Sequence, residues 1–139
     1  MVAFRSATAS DSESICALWA VCGLGGGSDH DASEIATRLN NDDGFFVVGE
    51  TNDGRVVAVA MGCHDDHRGW MKRVAVDPAQ RAMGLGRKLV EEVERRFLHA
   101  GVTKLRLAVW QDNEVALSFW NDLDYEELPE IKYFTKDLA

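Results

Sequence analysis

The residues with the most chemical content lie at the middle of the chain, in Val74-Ala75-Val76-Asp77-Pro78-Ala79-Gln80-Arg81-Ala82-Met83-Gly84-Leu85-Gly86-Arg87. An apolar strand pattern stops at Asp77-Pro78, because proline cannot donate to a ladder and restrains the residue before it. A short loop with arginine and two glycines follows, and a long helical pattern begins at once. The first amides of a helix have no intrahelical acceptor and carry a partial positive charge. Glycine lets an anion reach the main chain with no Cβ in the way. The main chain of Arg81, Ala82, Met83, Gly84, Leu85, Gly86 and Arg87 therefore reads as a cradle for a diphosphate. Taken alone, a Gly-x-Gly fits an ordinary glycine turn as well. Two other phosphate motifs are excluded. The dinucleotide fingerprint needs a third glycine in a βαβ turn, and the P-loop needs Gly-Lys-Ser/Thr; neither is present.

The elements that position this segment alternate. Residues 2–7 read as a strand. Ser10 with Glu13 gives a capping-box signal, followed by Ile15, Leu18, Trp19 and Cys22 at helical spacing. The glycine stretch 23–27 is a connector, and Asp31 with Glu34 repeats the cap signal before Ile35 and Leu39. Residues 45–50 and 55–63 form a hairpin about Asn52-Asp53-Gly54. Residues 70–76 are the next strand. The 85–100 helix carries an apolar stripe of Leu89, Val93 and Phe97, with Gly101 as its terminal cap. A strand over 102–110 and a helix over 113–123 follow. Residues 125–128 and 131–138 read as a closing strand pair. This order predicts an α/β fold with a mixed, mostly antiparallel sheet of six to seven strands and four helices.

The 139 residues suit a single domain over 1–139. The net charge of −8 argues against nucleic-acid binding, which needs clustered cations. No apolar run approaches the roughly 20 residues that span a bilayer, and the first residues do not resemble a signal peptide. Cys16, Cys22 and Cys63 form no Cys-x-x-Cys pair, so reduced thiols, a cytoplasmic location and no metal are expected. His64-Asp65-Asp66-His67 reads as a solvated loop, since adjacent ligands lack a defined metal geometry. Cys63 reads as a small apolar strand residue rather than an acyl carrier. Trp19, Trp70 and Trp110 read as packing or groove-lining side chains. An apolar strand near the C-terminus is a candidate surface for a homodimer.

Arg81-x-x-Gly84-x-Gly86, placed after Val74-Ala75-Val76-Asp77-Pro78, resembles the acetyl-CoA motif of the GNAT acetyltransferase superfamily. Asn113-x-x-Ala116-x-x-Phe119-Trp120-x-x-x-Asp124-Tyr125 resembles that family's next signature. The element order is similar along almost the whole chain, and the small YpeA-like and RimI-like members are the nearest in kind. The resemblance implies that acetyl-CoA is the co-substrate and an amine the acceptor. It implies that the main chain of Val74, Ala75 and Val76 binds the pantetheine arm, with the Val74 amide as oxyanion donor. Residues 81–87 then wrap the diphosphate, Asn113 touches the pantetheine side, and the 70–76 and 102–110 strands splay to admit the cofactor.

The implied reaction is direct attack of the amine on the acetyl carbonyl in a ternary complex. An amine with a pKa near 8 to 10 must lose a proton, and the departing thiolate must gain one or leave as an anion. Many relatives carry a tyrosine where this chain has Trp120, whose indole donates a hydrogen bond but not a proton. Tyr125 and Tyr133 are the alternative acids, each also readable as an ordinary packed residue. Asp124 stands where the family usually has glycine. Glu50 and the residues His64, Asp65, Asp66 and His67 are the candidate bases. Lys72 and Arg73 precede the motif; strand alternation puts one of them on the substrate side, to meet a substrate carboxylate, against the simpler reading of two solvated cations. A non-catalytic acyl-CoA sensor, or an interaction domain that keeps only the fold, are the competing readings.

Overall fold

Strand alternation and two helical stripes build a sheet covered on both faces. The computed structural model describes residues 1–25, 28–41 and 44–139; Gly26 and Gly27 of the expected connector lie outside them. The chain divides into two units, Met1–Leu107 and Ala108–Ala139. The first holds β1 (Val2–Ser6), α1 (Ser12–Val21), α2 (Ser28–Asn40), β2 (Phe46–Thr51), β3 (Val56–Asp65), β4 (Arg68–Val76), α3 (Leu85–His99) and β5 (Lys104–Arg106); the second holds α4 (Glu114–Asp122). The sheet order is β1-β2-β3-β4-β5. All neighbours are antiparallel except β4 and β5, which are parallel and joined through α3. No helix among the described residues is long and apolar enough to cross a membrane.

The β2–β3 hairpin forms where expected, with Gly54 at φ 87. The α3 stripe also forms as read: Leu85, Leu89, Val90, Val93 and Phe97 are buried. Gly101 takes φ 85, and the Val102 amide closes the helix end on Phe97 O at 2.9 Å. Met61 packs with Ile15, Leu18, Trp19 and Ile35, whereas a Cβ on Gly62 would meet Phe97. Adjacent strand residues point to opposite faces. So α1 and α2 cover one face and α3 covers the other.

Phe97 stacks on Phe45 with centroids 4.2 Å apart. A Cβ on Gly62 would lie 2.9 Å from both Phe45 O and Phe97 Cζ. One of these is main chain and cannot swing aside. Gly62→Ala is therefore expected to lower stability by about 1–3 kcal/mol through overpacking. Urea unfolding should show a lower midpoint at unchanged slope.

Four expectations change. The N-terminal cap lies earlier than Ser10: Asp11 accepts the Thr8 amide at 2.8 Å and closes a short 3-10 turn over Ala9–Asp11. His64 and Asp65 belong to β3, so the β3–β4 connection is the short turn at Asp66 and His67 rather than a loop. Within 102–110 only Lys104–Arg106 forms a ladder. Residues 125–139 form no strand, so the sheet among the described residues has five strands rather than six or seven, and the C-terminal strand proposed for pairing between copies is absent. Tyr, Phe and Ile favour a pleated surface, but a strand exists only where a ladder partner exists. Pro129 also removes one donor from that stretch.

Candidate functional site

β4 is irregular where the chemistry is expected. Its register to β3 runs Met61↔Lys72 and then Val59↔Ala75, so Arg73 and Val74 together oppose Ala60 in a β-bulge. Arg73 takes φ 52, a left-handed conformation that costs a non-glycine residue about 1–2 kcal/mol. Tertiary contacts hold it there. The Trp19 indole donates to Arg73 O at 3.1 Å. The Arg73 guanidinium lies 4.4 Å from the Trp19 ring centroid, donates to Asp31 Oδ1 at 2.8 Å and pairs with Glu34 Oε1 at 3.2 Å. Trp19 is fully buried and Asp31 is 3% exposed, so this clamp is largely shielded from water.

The bulge also breaks the alternation expected of Lys72 and Arg73. Both face α2: Lys72 Nζ lies 3.3 Å from Glu34 Oε2, beside the Arg73 pairs. Asp31 and Glu34 thus serve as partners for β4 instead of capping a helix; α2 starts a turn earlier, at Ser28. Sequence reasoning missed both roles. The available signal was Trp19, because a buried indole needs an acceptor.

β5 accompanies β4 only from Arg68↔Lys104 to Trp70↔Arg106. Among the described residues no other strand covers that edge of β4, so Val74, Ala75 and Val76 lie beyond the last ladder pair. The strand ends at Asp77, whose amide donates to Val57 O at 2.8 Å and whose carboxylate accepts the Ala79 amide at 2.9 Å. Arg81 folds back: its Nε donates to Val76 O at 3.2 Å, and Nη2 lies 3.4 Å from Cys22 Sγ. The Arg81 side chain therefore fastens the loop, and its main-chain amide donates to Pro78 O at 3.4 Å. Ala82 and Gly84 both have positive φ, 68 and 75. Gly84 caps α3, and the first bond across its start runs from the Lys88 amide to Gly84 O at 3.1 Å. By helix geometry the Leu85 and Gly86 amides have no acceptor within the helix. Met83 is exposed and Leu85 is buried, which anchors the turn. No acidic side chain stands in the first turn of α3, where one would suit the dipole; Arg87 and Lys88 follow instead. The mouth of α3 is thus electropositive from both main chain and side chains.

Glu50 sits at the end of β2, opposite Ala3 and Val56. Arg5 donates to its Oε2 from Nη2 at 2.6 Å and from Nε at 3.2 Å. Two strand spacings, about 10 Å, separate β2 from β4, so the structure does not bring Glu50 to Val74. Arg5 also binds Asp11 through both oxygens, at 2.8 and 2.9 Å. These bonds hold the Asp11 carboxyl below its usual range, against the opposing effect of burial. A depressed carboxyl adds stability above its unfolded pKa of about 3.9, and that stability is lost as pH falls through the folded value. Asp11→Asn is expected to cost about 1–2 kcal/mol at neutral pH, discounted because Arg5 is partly exposed. It should also flatten the loss of stability below about pH 4, as read by urea midpoints against pH.

His64 is edge-on to Phe45 at 5.0 Å and to Phe97 at 6.3 Å. Phe97 stands twelve residues beyond Leu85 on α3, roughly 18 Å along the helix, so His64 lies far from the cradle. Asp66 and His67 are at the exposed turn. Among the described residues no three His, Cys, Asp or Glu side chains are grouped to hold a metal ion.

In the second unit, Asn113 is the N-cap of α4 and its side-chain oxygen accepts the Ala116 amide at 3.1 Å. Trp120 packs edge-on against Phe119 and Tyr125, with centroids 4.9 and 5.0 Å away. Asp124 takes φ 67, and the Tyr125 amide returns to Trp120 O at 3.0 Å. The turn usually made by glycine is therefore kept with aspartate, which tolerates this conformation better than most residues.

The profile of the Acetyltransferase (GNAT) family matches residues 12–125. An acetyltransferase of Yersinia pseudotuberculosis is 33% identical over 116 residues, covering 84% of this chain and 82% of the relative. Among solved structures, AAC(6')-Iy in complex with the bisubstrate analogue CoA-S-monomethyl-acetylneamine superposes with a TM-score of 0.82 at 16% identity, over 99% of each chain. The aminoglycoside 6'-N-acetyltransferase AAC(6')-Ih of Acinetobacter baumannii superposes with a TM-score of 0.82 at 15% identity, over the full length of both chains. At these identities the two structures show a shared fold.

Proposed function

We infer a specific reaction for this chain, which belongs to the acetyltransferase (GNAT) family: transfer of the acetyl group of acetyl-CoA to a primary amine of a small molecule, peptide or protein, by direct attack in a ternary complex. One observation carries the reading. A strand edge that no other strand among the described residues covers beyond Trp70 ends at a helix mouth with an electropositive first turn. Such a mouth suits a diphosphate, and such an edge suits the amide-bearing pantetheine arm. In this reading Val74, Ala75 and Val76 hold the arm through main-chain bonds, and the Val74 amide receives the developing oxyanion. Residues 81–87 hold the diphosphate, and Asn113 adds a contact to the arm. Acetyl-CoA supplies the acyl group, and no metal is needed.

Glu50 is the proposed base and Tyr125 the proposed acid. Glu50 lies two strand spacings, about 10 Å, from β4, so in this reading a chain of several waters carries its proton. The proposal takes 1–139 as one functional domain, supported by a family match that spans both units, and a cytoplasmic setting, supported by three free cysteines.

The test is release of free CoA thiol when the protein is incubated with acetyl-CoA and a library of amines. Thiol release that depends on an amine supports transfer. CoA should also raise thermal stability, by about 2.7 kcal/mol at a hundredfold excess over Kd. A protein stabilised by CoA that never releases thiol is a sensor. That second reading is favoured by Trp120, which cannot protonate a thiolate. The absence of any stabilisation by CoA defeats both.

A further inference from the structure

We propose that Arg106 and Trp70 hold a carboxylate of the acceptor about 10 Å from the nitrogen that is acetylated, so that the acceptor is an elongated primary amine of peptide length with an acidic group near its third residue. This rests on the acetyl-transfer reading above. The two residues face each other in the last ladder pair of β4 and β5. A Cβ on Gly69 would meet Leu105 Cδ2 at 2.7 Å and Phe97 Cε1 at 3.1 Å, so Gly69 and Leu105 point toward α3. Their neighbours Trp70 and Arg106 therefore point to the opposite face, together with Arg68 and Lys104. On that same face Lys72 meets Glu34 of α2. Cys63, opposite Trp70 on β3, also lines a cleft of about 650 Å³ against α2, which leaves room for the rest of a ligand.

The state of these side chains decides the ligand. Arg106 Nε is buried and has no hydrogen-bond partner. Among the described residues no carboxylate pairs with the Arg106 guanidinium, although acidic side chains outnumber basic ones by 23 to 15. A buried donor without a partner destabilises the fold, and a carboxylate that reaches it, bonded side-on by the guanidinium fork, relieves that cost. Asp65 stands opposite Arg68 in the register, and Glu34 pairs with Lys72. Lys104 is exposed two residues before Arg106 on the same face and adds to its field. Trp70 is 45% exposed although β4 is an inner strand. Its indole is a flat apolar ledge beside the cation, the kind of side chain that anchors ligands and partners.

Position sets the length. The β5 ladder stops at Arg106, where the β4 edge assigned to the thioester begins to open. Four positions separate Trp70 from Val74, about 13 Å along the strand. With the acetyl carbon next to Val74, the anion lies about 10 Å from the attacking nitrogen. A compact amino acid holds its carboxylate too close to its amine to span that gap. An extended chain covers it in about three residues.

Initial rates with acetyl-CoA and three tripeptide amides test this: Ala-Ala-Glu, Ala-Ala-Gln and Ala-Ala-Lys, with β-alanine and ethanolamine as short amines. The Glu peptide should exceed the Gln peptide in kcat/KM by about tenfold or more, and the Lys peptide should be the poorest. The advantage should shrink as salt is raised. β-Alanine should be no better than ethanolamine. Arg106→Gln should bring the Glu peptide down to the level of the Gln peptide. Lys104→Glu, at an exposed side chain, should narrow the same gap and serves where Arg106→Gln does not fold. Calorimetric binding of the peptides to the CoA complex gives the ranking where turnover is slow. A preference for the Lys peptide overturns the proposal. So do three peptides that act and bind alike or not at all, β-alanine used better than the Glu peptide, or a ranking that neither variant moves. Stabilisation by CoA, measured alongside, separates the two levels. If CoA stabilises the protein and the ranking fails, only this inference falls. If CoA does not stabilise the protein and acetyl-CoA releases no thiol, the acetyl-transfer reading falls and takes this one with it.

Discussion

Replacing Gly84 with valine is expected to weaken acetyl-CoA binding by about a hundredfold while leaving most of the fold's stability in place. Gly84 has φ 75, and nothing lies within 4 Å of where its Cβ would stand. The substitution therefore meets no packing clash. Its direct cost is left-handed strain, about 1–2 kcal/mol at a β-branched residue. The chain relieves that strain by rotating the peptide, which re-aims the Leu85 amide at the helix mouth. Each charge-assisted bond from an amide to phosphate contributes about 1.5–3 kcal/mol, so losing one or two accounts for the expected change. Calorimetric titration with CoA reads it. Acetyl-pantetheine, which lacks the diphosphate, is the control: its use as an acyl donor should be nearly insensitive to the substitution. Full CoA affinity in Gly84→Val would mean that the diphosphate sits elsewhere.

The part of the molecule most legible in the sequence is the part ruled by local chemistry. The start of α3 could be read from Gly84, Leu85 and Gly86 because a helix terminus has the same orphan amides wherever it occurs. The end of α3 at Gly101 and the turn at Gly54 were legible for the same reason: a positive φ selects glycine. The start of the helix at Asn113 belongs with them, although its capping bond to Ala116 is seen only in the structure. What escaped depends on partners distant in the chain. Glu50 read as an available carboxylate, yet its guanidinium partner is Arg5, 45 residues earlier. Asp31 and Glu34 have the spacing of a capping pair, and that spacing also puts them on one helix face toward β4. Alternation failed for Lys72 and Arg73 because it presumes a regular strand, and a bulge depends on what clamps it. The aromatic and β-branched residues between 125 and 138 met the composition of strands without a ladder to join.

That clamp carries the second large effect. Asp31 is 3% exposed, and its bond to Arg73 is one of four contacts that fix a left-handed residue next to Val74. Asp31→Asn keeps the shape and removes the charge. Arg73, itself 24% exposed in its side chain, then keeps the Trp19 ring and, as its carboxylate partner, Glu34, which it shares with Lys72. Breaking one side of a buried ion pair costs about 3–5 kcal/mol; with Glu34 still present, about 2–3 kcal/mol is expected. The kinetic consequence is the more informative one. If the bulge sets the direction of the Val74 amide toward the thioester oxygen, loosening it removes an interaction made in the transition state. The turnover number should then fall tenfold or more, because one lost oxyanion donor is worth about a hundredfold or more and the clamp is only loosened. The KM for acetyl-CoA should hardly move, since the α3 mouth proposed to bind the diphosphate is untouched. A variant that unfolds more easily yet turns over at the original rate at a temperature where it is folded would reduce the clamp to a packing device. An equal rise in KM with no change in turnover would place its effect on cofactor binding instead. The split between the two constants therefore separates a strand held for stability from a strand aimed at a carbonyl.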